Sequence, residues 1–329
     1  MSSFGIPGLS PQFERRLEDG IAAVEALLAA SIESEYDLLT ETSHHLVDAG
    51  GKRLRPLLTL LAAEFGNPDA PGVITSAVVS ELTHLATLYH DDVMDEAPLR
   101  RGVESANNRW GNTVAILAGD FLFAKSSALL ADLGPAAVKL QALTFERLVV
   151  GQMMETIGPR EGDELLAHYL KVVSDKTGSL LSASAQYGAL AAGASDSVRA
   201  ILGEFGERIG VAFQIADDVI DVMSESGVSG KTPGTDLREG VPTLVTLHVI
   251  ISDDPADAQL RELLLAPILD EAVVSDVLAQ LRGHRAIEIA RAQLRGYADG
   301  AREVLGDLEE GEAKAALMAL CDAVIDRSA

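Results

Sequence analysis

Two five-residue stretches carry three aspartates each at one spacing: DDVMD, with Asp91, Asp92 and Asp95, and DDVID, with Asp217, Asp218 and Asp221. The chain holds 25 aspartates in 329 residues. At that frequency chance supplies roughly 0.14 copies of D-D-x-x-D, so two copies call for a reason. On a helix, residues four apart are neighbours, which puts the carboxylates of Asp91 and Asp95 side by side on one face. Such a pair repels itself by roughly 0.3 kcal/mol unless a cation intervenes. Hard oxygen donors with room left for water and phosphate suit Mg²⁺. The plainer alternative is a solvated acidic face. The flanks argue against it, because Leu85 to Tyr89 before the first cluster and Val211 to Ala216 before the second are largely apolar. The pattern points to carboxylates carried on core helices and facing a cavity.

An anion held near such metals needs positive charge. Lys52, Arg53 and Arg55 follow the glycine pair Gly50–Gly51, and Arg100 with Arg101 follow the first cluster, past the helix break that Pro98 predicts. Guanidinium forks and lysine point charges are the usual partners of phosphate. Basic residues at a helix C-terminus complement its dipole, which accounts for one of these groups and not both. A phosphorylated ligand is therefore expected at the two turns. Other patterns carry less. His44–His45 has no metal partner at helical spacing and is read as a surface pair. Gly50–Gly51 lacks the G-x-x-x-x-G-K-[ST] spacing of a nucleotide loop, and no G-x-S-x-G elbow marks a serine hydrolase.

These residues need rigid elements to position them. Short turn-like stretches lie at Gly66–Gly72, Gly158–Gly162, Gly227–Gly240 and Ser252–Asp257. Between them the chain is rich in Ala, Leu and Glu, with apolar residues returning every helical turn, as in Ile21–Leu28 and Leu260–Leu265. Strand-like alternation is absent. The spacing predicts one all-α domain over residues 1–329, its first ten or so residues a flexible lead. An apolar share of 47% suffices for a core, and an aromatic share of 4% leaves that core to small and aliphatic side chains. Lys and Arg number 26 against 50 Asp and Glu, a net charge of −24, which argues against a nucleic-acid partner. The one cysteine, Cys321, excludes an intramolecular disulfide and a cysteine-based zinc site. No signal-peptide pattern opens the chain, and no uninterrupted apolar run reaches the roughly 18 residues of a spanning helix. A soluble, cytoplasmic protein is expected.

Several segments together resemble the trans-isoprenyl diphosphate synthases, the polyprenyl synthetase family. They are GGKRLRP (Gly50 to Pro56), LYHDDVMDEAPLRRG (Leu88 to Gly102), AGDFLFAKS (Ala118 to Ser126), KTGSL (Lys176 to Leu180), FQIADDVIDV (Phe213 to Val222) and GKTPGTDLREG (Gly230 to Gly240). They occur in the family's order. The resemblance implies an all-α bundle around a deep central cavity, usually a homodimer, that condenses isopentenyl diphosphate head-to-tail with an allylic diphosphate (dimethylallyl, geranyl, farnesyl or geranylgeranyl). Carried over by position, Asp91 and Asp95 would bind two Mg²⁺ ions and Asp217 another, about three in all. Lys52, Arg55, His84 and Arg101 would hold isopentenyl diphosphate. Arg100, Lys176, Thr177, Gln214 and Lys231 would hold the allylic diphosphate, Lys176 and Lys231 as part of the catalytic set. Many members carry a lysine after the glycine that is Gly240 here; this chain has Val241.

The resemblance also frames product length. A tail growing from a diphosphate at Asp91 would run back along its helix, past Thr87 and Ala86, then Thr83, Ser80, Val79 and Ser76, all small. In the family, bulky aromatics at the positions of Ala86 or Thr87 close the pocket early. Nothing bulky stands on this stripe for roughly 22 Å of helix, so geranylgeranyl diphosphate or longer is expected, about C35 to C50 favoured. A short-chain synthase is the alternative. A terpene cyclase is disfavoured because the second Asp cluster is intact. An inactive partner subunit of a heteromeric synthase is disfavoured because the aspartates and the GGKRLRP cations are all present. A peripheral membrane contact for product release is a further expectation.

Overall fold

The computed structural model describes residues 8–224 and 233–327. Helices dominate: α1 (Pro11–Ser31), α2 (Asp37–Asp48), α3 (Leu54–Ala63), α4 (Gly72–Met94), α5 (Ala106–Trp110), α6 (Asn112–Leu133), α7 (Pro135–Ile157) and α8 (Leu165–Val173). A π turn, Ser174–Gly178, joins α8 to α9 (Ser179–Ala191), and the 28-residue α10 (Asp196–Met223) follows. Then come α11 (Thr235–Glu239), α12 (Leu244–Ile250), α13 (Ala258–Leu263), α14 (Glu271–Arg282), α15 (Arg285–Val304) and α16 (Glu312–Asp326). Alongside the helices lies one short antiparallel ladder, β1 (Leu99–Arg100) with β2 (Val103–Glu104), which the sequence pattern does not announce.

Local chemistry sets several boundaries. The Ser10 hydroxyl accepts from the Phe13 N–H, with Pro11 at the first helical position of α1, where its missing donor costs nothing. Thr243 and Thr246 close a reciprocal capping box at the start of α12. Asp270 caps α14 and His284 caps α15 through the amides two residues on.

The described chain falls into two compact units. The first comprises 1–145, 180–206 and 307–317. Its centre is α4, whose Val73, Val78, Val79, Leu82, Leu85, Ala86 and Tyr89 are fully buried; α1, α3 and α6 pack around it. Small residues allow close approach. A Cβ at Gly119 of α6 would fall 2.4 Å from His90 Nε2 on α4, and one at Gly188 of α9 would fall 2.0 Å from the Thr59 carbonyl of α3. The Tyr89 hydroxyl donates to the Thr42 carbonyl and receives the Leu46 N–H, so the last turns of α4 are pinned to α2.

The second unit comprises 146–179, 207–306 and 318–329. Here α12 packs against α8 and α15. Helix α15 is strongly amphipathic, burying Ala286, Ile287, Ala290, Leu294, Ala298 and Ala301 beneath a charged outer face.

Several large apolar side chains are exposed among the described residues. On α6 and α7, Ile116, Leu117, Val138, Leu143, Val149, Met153 and Ile157 are exposed. By length and composition α6 is apolar enough to cross a membrane, yet its Ala115, Ala118, Leu122 and Leu130 are buried in the first unit.

Candidate active site

The first unit carries the first Asp cluster at the end of α4. Asp91 is half-buried, and Asp95 caps the helix, its N–H bonded to the Asp91 carbonyl at 2.8 Å. Asp92 turns inward and is fully buried; its Oδ1 receives Arg100 Nε at 2.5 Å, while its Oδ2 has no partner. Burial pushes the Asp92 carboxyl above its ordinary range, and the charge of Arg100 opposes that. Arg100 and Arg101 sit in the β1–β2 hairpin, with Arg101 in the left-handed region at φ 53°.

Arg101 meets the backbone at the root of the glycine-pair loop. Its Nη1 donates to the Leu46 carbonyl at 2.8 Å and to the Gly50 carbonyl. A Cβ at Gly51 would fall 3.2 Å from the Arg101 guanidinium, and the backbone there is at φ 154°. The loop therefore needs glycine for space as well as for conformation. Glu81, about three turns before the aspartates on α4 and buried, gathers the arginines: Arg53 Nη1 lies at 2.8 Å and Arg101 Nη2 at 3.5 Å. Arg53 is thus not a free cation for a ligand. It is buried in a bridge to Glu81 and Glu25, a use that its place in the sequence does not reveal.

Arg55 remains open to a ligand. Its Nε is buried with no hydrogen-bond partner, and burial lowers its pKa to about 10, against the charge of Glu81 and with that of Arg101. A guanidinium left in that state favours an incoming anion. His84, one turn from Glu81, is held well below its ordinary pKa, first by burial and then by Arg55, Arg101, Arg100 and Arg53. It is neutral at pH 7. Lys52 lies exposed at the rim of the same loop.

The second unit carries the second cluster on α10. Asp217 pairs with Arg327 at 2.7 Å, whose guanidinium lies 4.4 Å above the Phe213 ring. Asp218 is buried between the Tyr169 hydroxyl at 2.5 Å and the Gln214 amide at 3.1 Å, and burial raises its pKa to about 6. Asp221 receives the Thr235 N–H at 3.3 Å and, through its carbonyl, the Gly234 N–H at 3.2 Å. Gln214 also accepts from the Thr177 hydroxyl at 3.1 Å, and Lys176 pairs with Glu155 of α7. The structure so brings Lys176, Thr177, Gln214 and the DDVID segment into one polar neighbourhood. Lys231 lies outside the described residues.

The oxygen-only donors of both clusters fit a hard cation. Among the described residues no three His, Cys, Asp or Glu side chains form a closed cage. A metal here would complete its shell with water and ligand phosphate, the habit of Mg²⁺.

The stripe behind Asp91 is buried at Ala86, Thr83, Val79, Ser80 and Ser76, with Thr87 half-buried. At Thr83 other helices cross it: Ser126 Oγ lies at 3.2 Å, and Gln141 Nε2 donates to Thr83 at 2.9 Å while accepting from the Tyr187 hydroxyl at 2.6 Å. His45 is not a free surface residue; its Nε2 meets the Glu104 carbonyl and its ring the edge of Trp110. Sequence reasoning passed over Glu81, Glu155 and Tyr169. Only Glu81 left a trace, as one acid inside the apolar run Val78 to Leu85.

All-α architecture with two such aspartate helices defines the isoprenoid synthase fold. The Polyprenyl synthetase family profile matches residues 36–281, and the chain belongs to that family, the Mg²⁺-dependent prenyltransferases of isoprenoid biosynthesis. It is 47% identical over 316 residues to a nonaprenyl diphosphate synthase of Mycobacterium tuberculosis, covering 96% of this chain and 94% of that one. It is 39% identical to a heptaprenyl diphosphate synthase component 2 of Geobacillus stearothermophilus, covering 92% and 93%. Among solved structures, a geranylgeranyl pyrophosphate synthase of Corynebacterium glutamicum, complexed with calcium and isoprenyl diphosphate, aligns with a TM-score of 0.87 at 44% identity, covering 97% and 98%.

Proposed function

We propose that the protein is a trans-polyprenyl diphosphate synthase that adds isopentenyl units to an allylic primer and releases geranylgeranyl diphosphate or longer products, with about C35 to C50 favoured. The nonaprenyl-synthase relative, similar over nearly the whole chain, and the stripe of small residues behind Asp91 carry this reading. In each cycle the allylic C1–O bond breaks, the double bond of isopentenyl diphosphate forms the new bond to C1, and the departed diphosphate takes the proton that is lost. Bound through Asp91, Asp95 and Asp217, about three Mg²⁺ ions would neutralise charge on the departing diphosphate. Lys52, Arg55, Arg101 and neutral His84 hold isopentenyl diphosphate. Arg100, Lys176, Thr177, Gln214 and Lys231 hold the allylic partner. Apolar walls keep water from the cation. No side-chain nucleophile is needed.

The two units serve as one catalytic domain in this reading, since the family match spans both. The exposed apolar side chains of α6, Ile116 and Leu117, and of α7 support a homodimer. The similarity to a protein named as one component of a synthase makes a heteromeric assembly the second reading. A cytoplasmic location, with transient membrane contact for product release, completes the proposal.

Product analysis tests it. Purified protein given labelled isopentenyl diphosphate and farnesyl or geranylgeranyl diphosphate should yield products of about C35 to C50, and Ala86→Phe should stop elongation near C15 to C20 by filling the stripe. A wild type that ends at C15, or an Ala86→Phe enzyme with unchanged products, would sink the length assignment. No turnover by the chain alone, with recovery on adding a partner protein, would favour the second reading.

A further inference from the structure

The second unit contains a charge cluster that plays no part in the reaction as described above. Arg147 of α7 donates Nε to Asp175 at 2.9 Å and clamps Glu207 of α10 with Nη1 at 2.8 Å and Nη2 at 2.6 Å. Nη2 also reaches Ser174, its hydroxyl at 3.0 Å and its carbonyl at 3.3 Å. Lys171 and the Ser174 hydroxyl close the set onto Asp175 and Glu207. Asp175 is fully buried.

The cluster is centred on the π turn, Ser174–Gly178. A π turn places one extra residue in a helix, and such turns are rare and concentrated at functional positions. The Ser174 carbonyl is the acceptor that defines the turn, because it receives the Ser179 N–H five residues on. Arg147 uses the second lone pair of that same oxygen. Two glycines bring the neighbouring backbones up to the turn. A Cβ at Gly151 would fall 2.9 Å from Asp175 Cβ and 3.3 Å from the Lys176 nitrogen, and one at Gly178 would fall 3.1 Å from the Glu207 carbonyl.

What the turn carries is Lys176 and Thr177. If the segment relaxed to an ordinary α-helix, side chains beyond the lost residue would swing by about 100° around the axis. Thr177 would then leave Gln214, and Lys176 would leave its place beside Glu155. A lysine in place of Arg147 offers no fork and cannot hold Glu207 and Asp175 together.

We propose that Arg147 is a positioning residue which, with Asp175 and Glu207, fixes the register of the π turn and so presents Lys176 and Thr177 to the allylic diphosphate. This rests on the reading of Lys176 given under Proposed function. Arg147 touches no substrate and acts through the turn.

Steady-state kinetics on the full chain tests it, each substrate varied in turn, with melting temperatures measured alongside. Arg147→Met should raise the KM for the allylic diphosphate about tenfold and leave that for isopentenyl diphosphate within about twofold. Arg147→Lys should recover little of the loss. The double variant Arg147→Met/Lys176→Ala should lose clearly less allylic affinity than the product of the two single losses, since residues acting through one another are not additive. A lowered melting temperature with both KM values raised alike, or fully additive effects in the double variant, would overturn the proposal. Lys176→Ala with an unchanged allylic KM would instead remove the assigned role of Lys176, and the proposal with it. Should Arg147→Met fail to fold, Glu207→Gln keeps the shape of the cluster and should show the same split at about threefold.

Discussion

The two aspartate clusters share a spacing and differ in what their middle residue meets. Asp92 is buried against a cation, Arg100, whereas Asp218 is buried against a phenol and an amide, Tyr169 and Gln214. The common part follows from helix phase. Taking the first aspartate as zero, the fifth lies at about 40° and the second at about 100°. If the second points into the packed interior, the first and fifth stand together away from it. The middle residue is then held by protein, and the outer two share a different stretch of the helix surface. The differing part is charge. The first cluster has the guanidinium of Arg100 on its middle aspartate, while Arg53 and Arg101 gather on Glu81 of the same helix. Neutral donors dominate the second, with Arg327 on Asp217 as its cation.

The largest test separates outer from middle positions. Asp91→Ala and Asp217→Ala should each lower kcat by about a thousandfold or more, and chelation of Mg²⁺ should abolish turnover in the wild type. Asp92→Asn and Asp218→Asn should lose far less in kcat. If Asp92→Asn matched Asp91→Ala, the division by helix phase would be wrong.

A smaller effect distinguishes the surroundings. Tyr169→Phe removes one of two side-chain donors to a buried carboxyl, and urea denaturation should show a loss of about 2 kcal/mol. Arg100→Gln leaves Asp92 a neutral donor in place of a cation, so its loss should grow as pH rises through the upward-shifted range in which the buried carboxyl ionises. Equal, pH-independent losses would erase the distinction.

The smallest concerns His84, which burial and then the neighbouring arginines keep neutral. Its folded pKa lies below its unfolded value, so below about pH 6.5 the unfolded chain binds the extra proton and stability falls as pH drops, by at most about 1.4 kcal/mol per pH unit. Above that pH the contribution is constant. His84→Gln should flatten the melting-temperature profile between pH 5 and pH 6.5 and leave it unchanged near pH 8. A profile identical to wild type would show that the histidine is not held neutral.

Much of this was legible in the residues. Periodicity identified an all-α chain, and the repeated D-D-x-x-D with its apolar flanks located both acidic helices. Two kinds of fact were not legible. One is the orientation of a charged side chain: Arg53 and Arg55 are two letters apart, yet the left-handed turn at Arg53, φ 47°, sends it into a bridge with Glu25 and Glu81 while Arg55 keeps an unpartnered nitrogen. The other is what distant segments contribute. One helix's pattern shows that Thr83 is small, but it cannot show Gln141 and Tyr187 lying across it. The π turn escaped for the same reason, since Arg147 and Glu207, which grip it, come from other helices.

Tyr89 stands two residues before Asp91, its hydroxyl fixed to the backbone of α2 at Thr42 and Leu46. The loop Gly50–Gly51–Lys52 leaves the end of that same helix. The helix turn leading into Asp91 and the root of the cationic loop therefore open, when they open at all, as one cooperative piece. In hydrogen exchange, amides around Tyr89 and around Leu46 should report a common opening free energy, near that of global unfolding, whereas the exposed end at Asp95 frays independently.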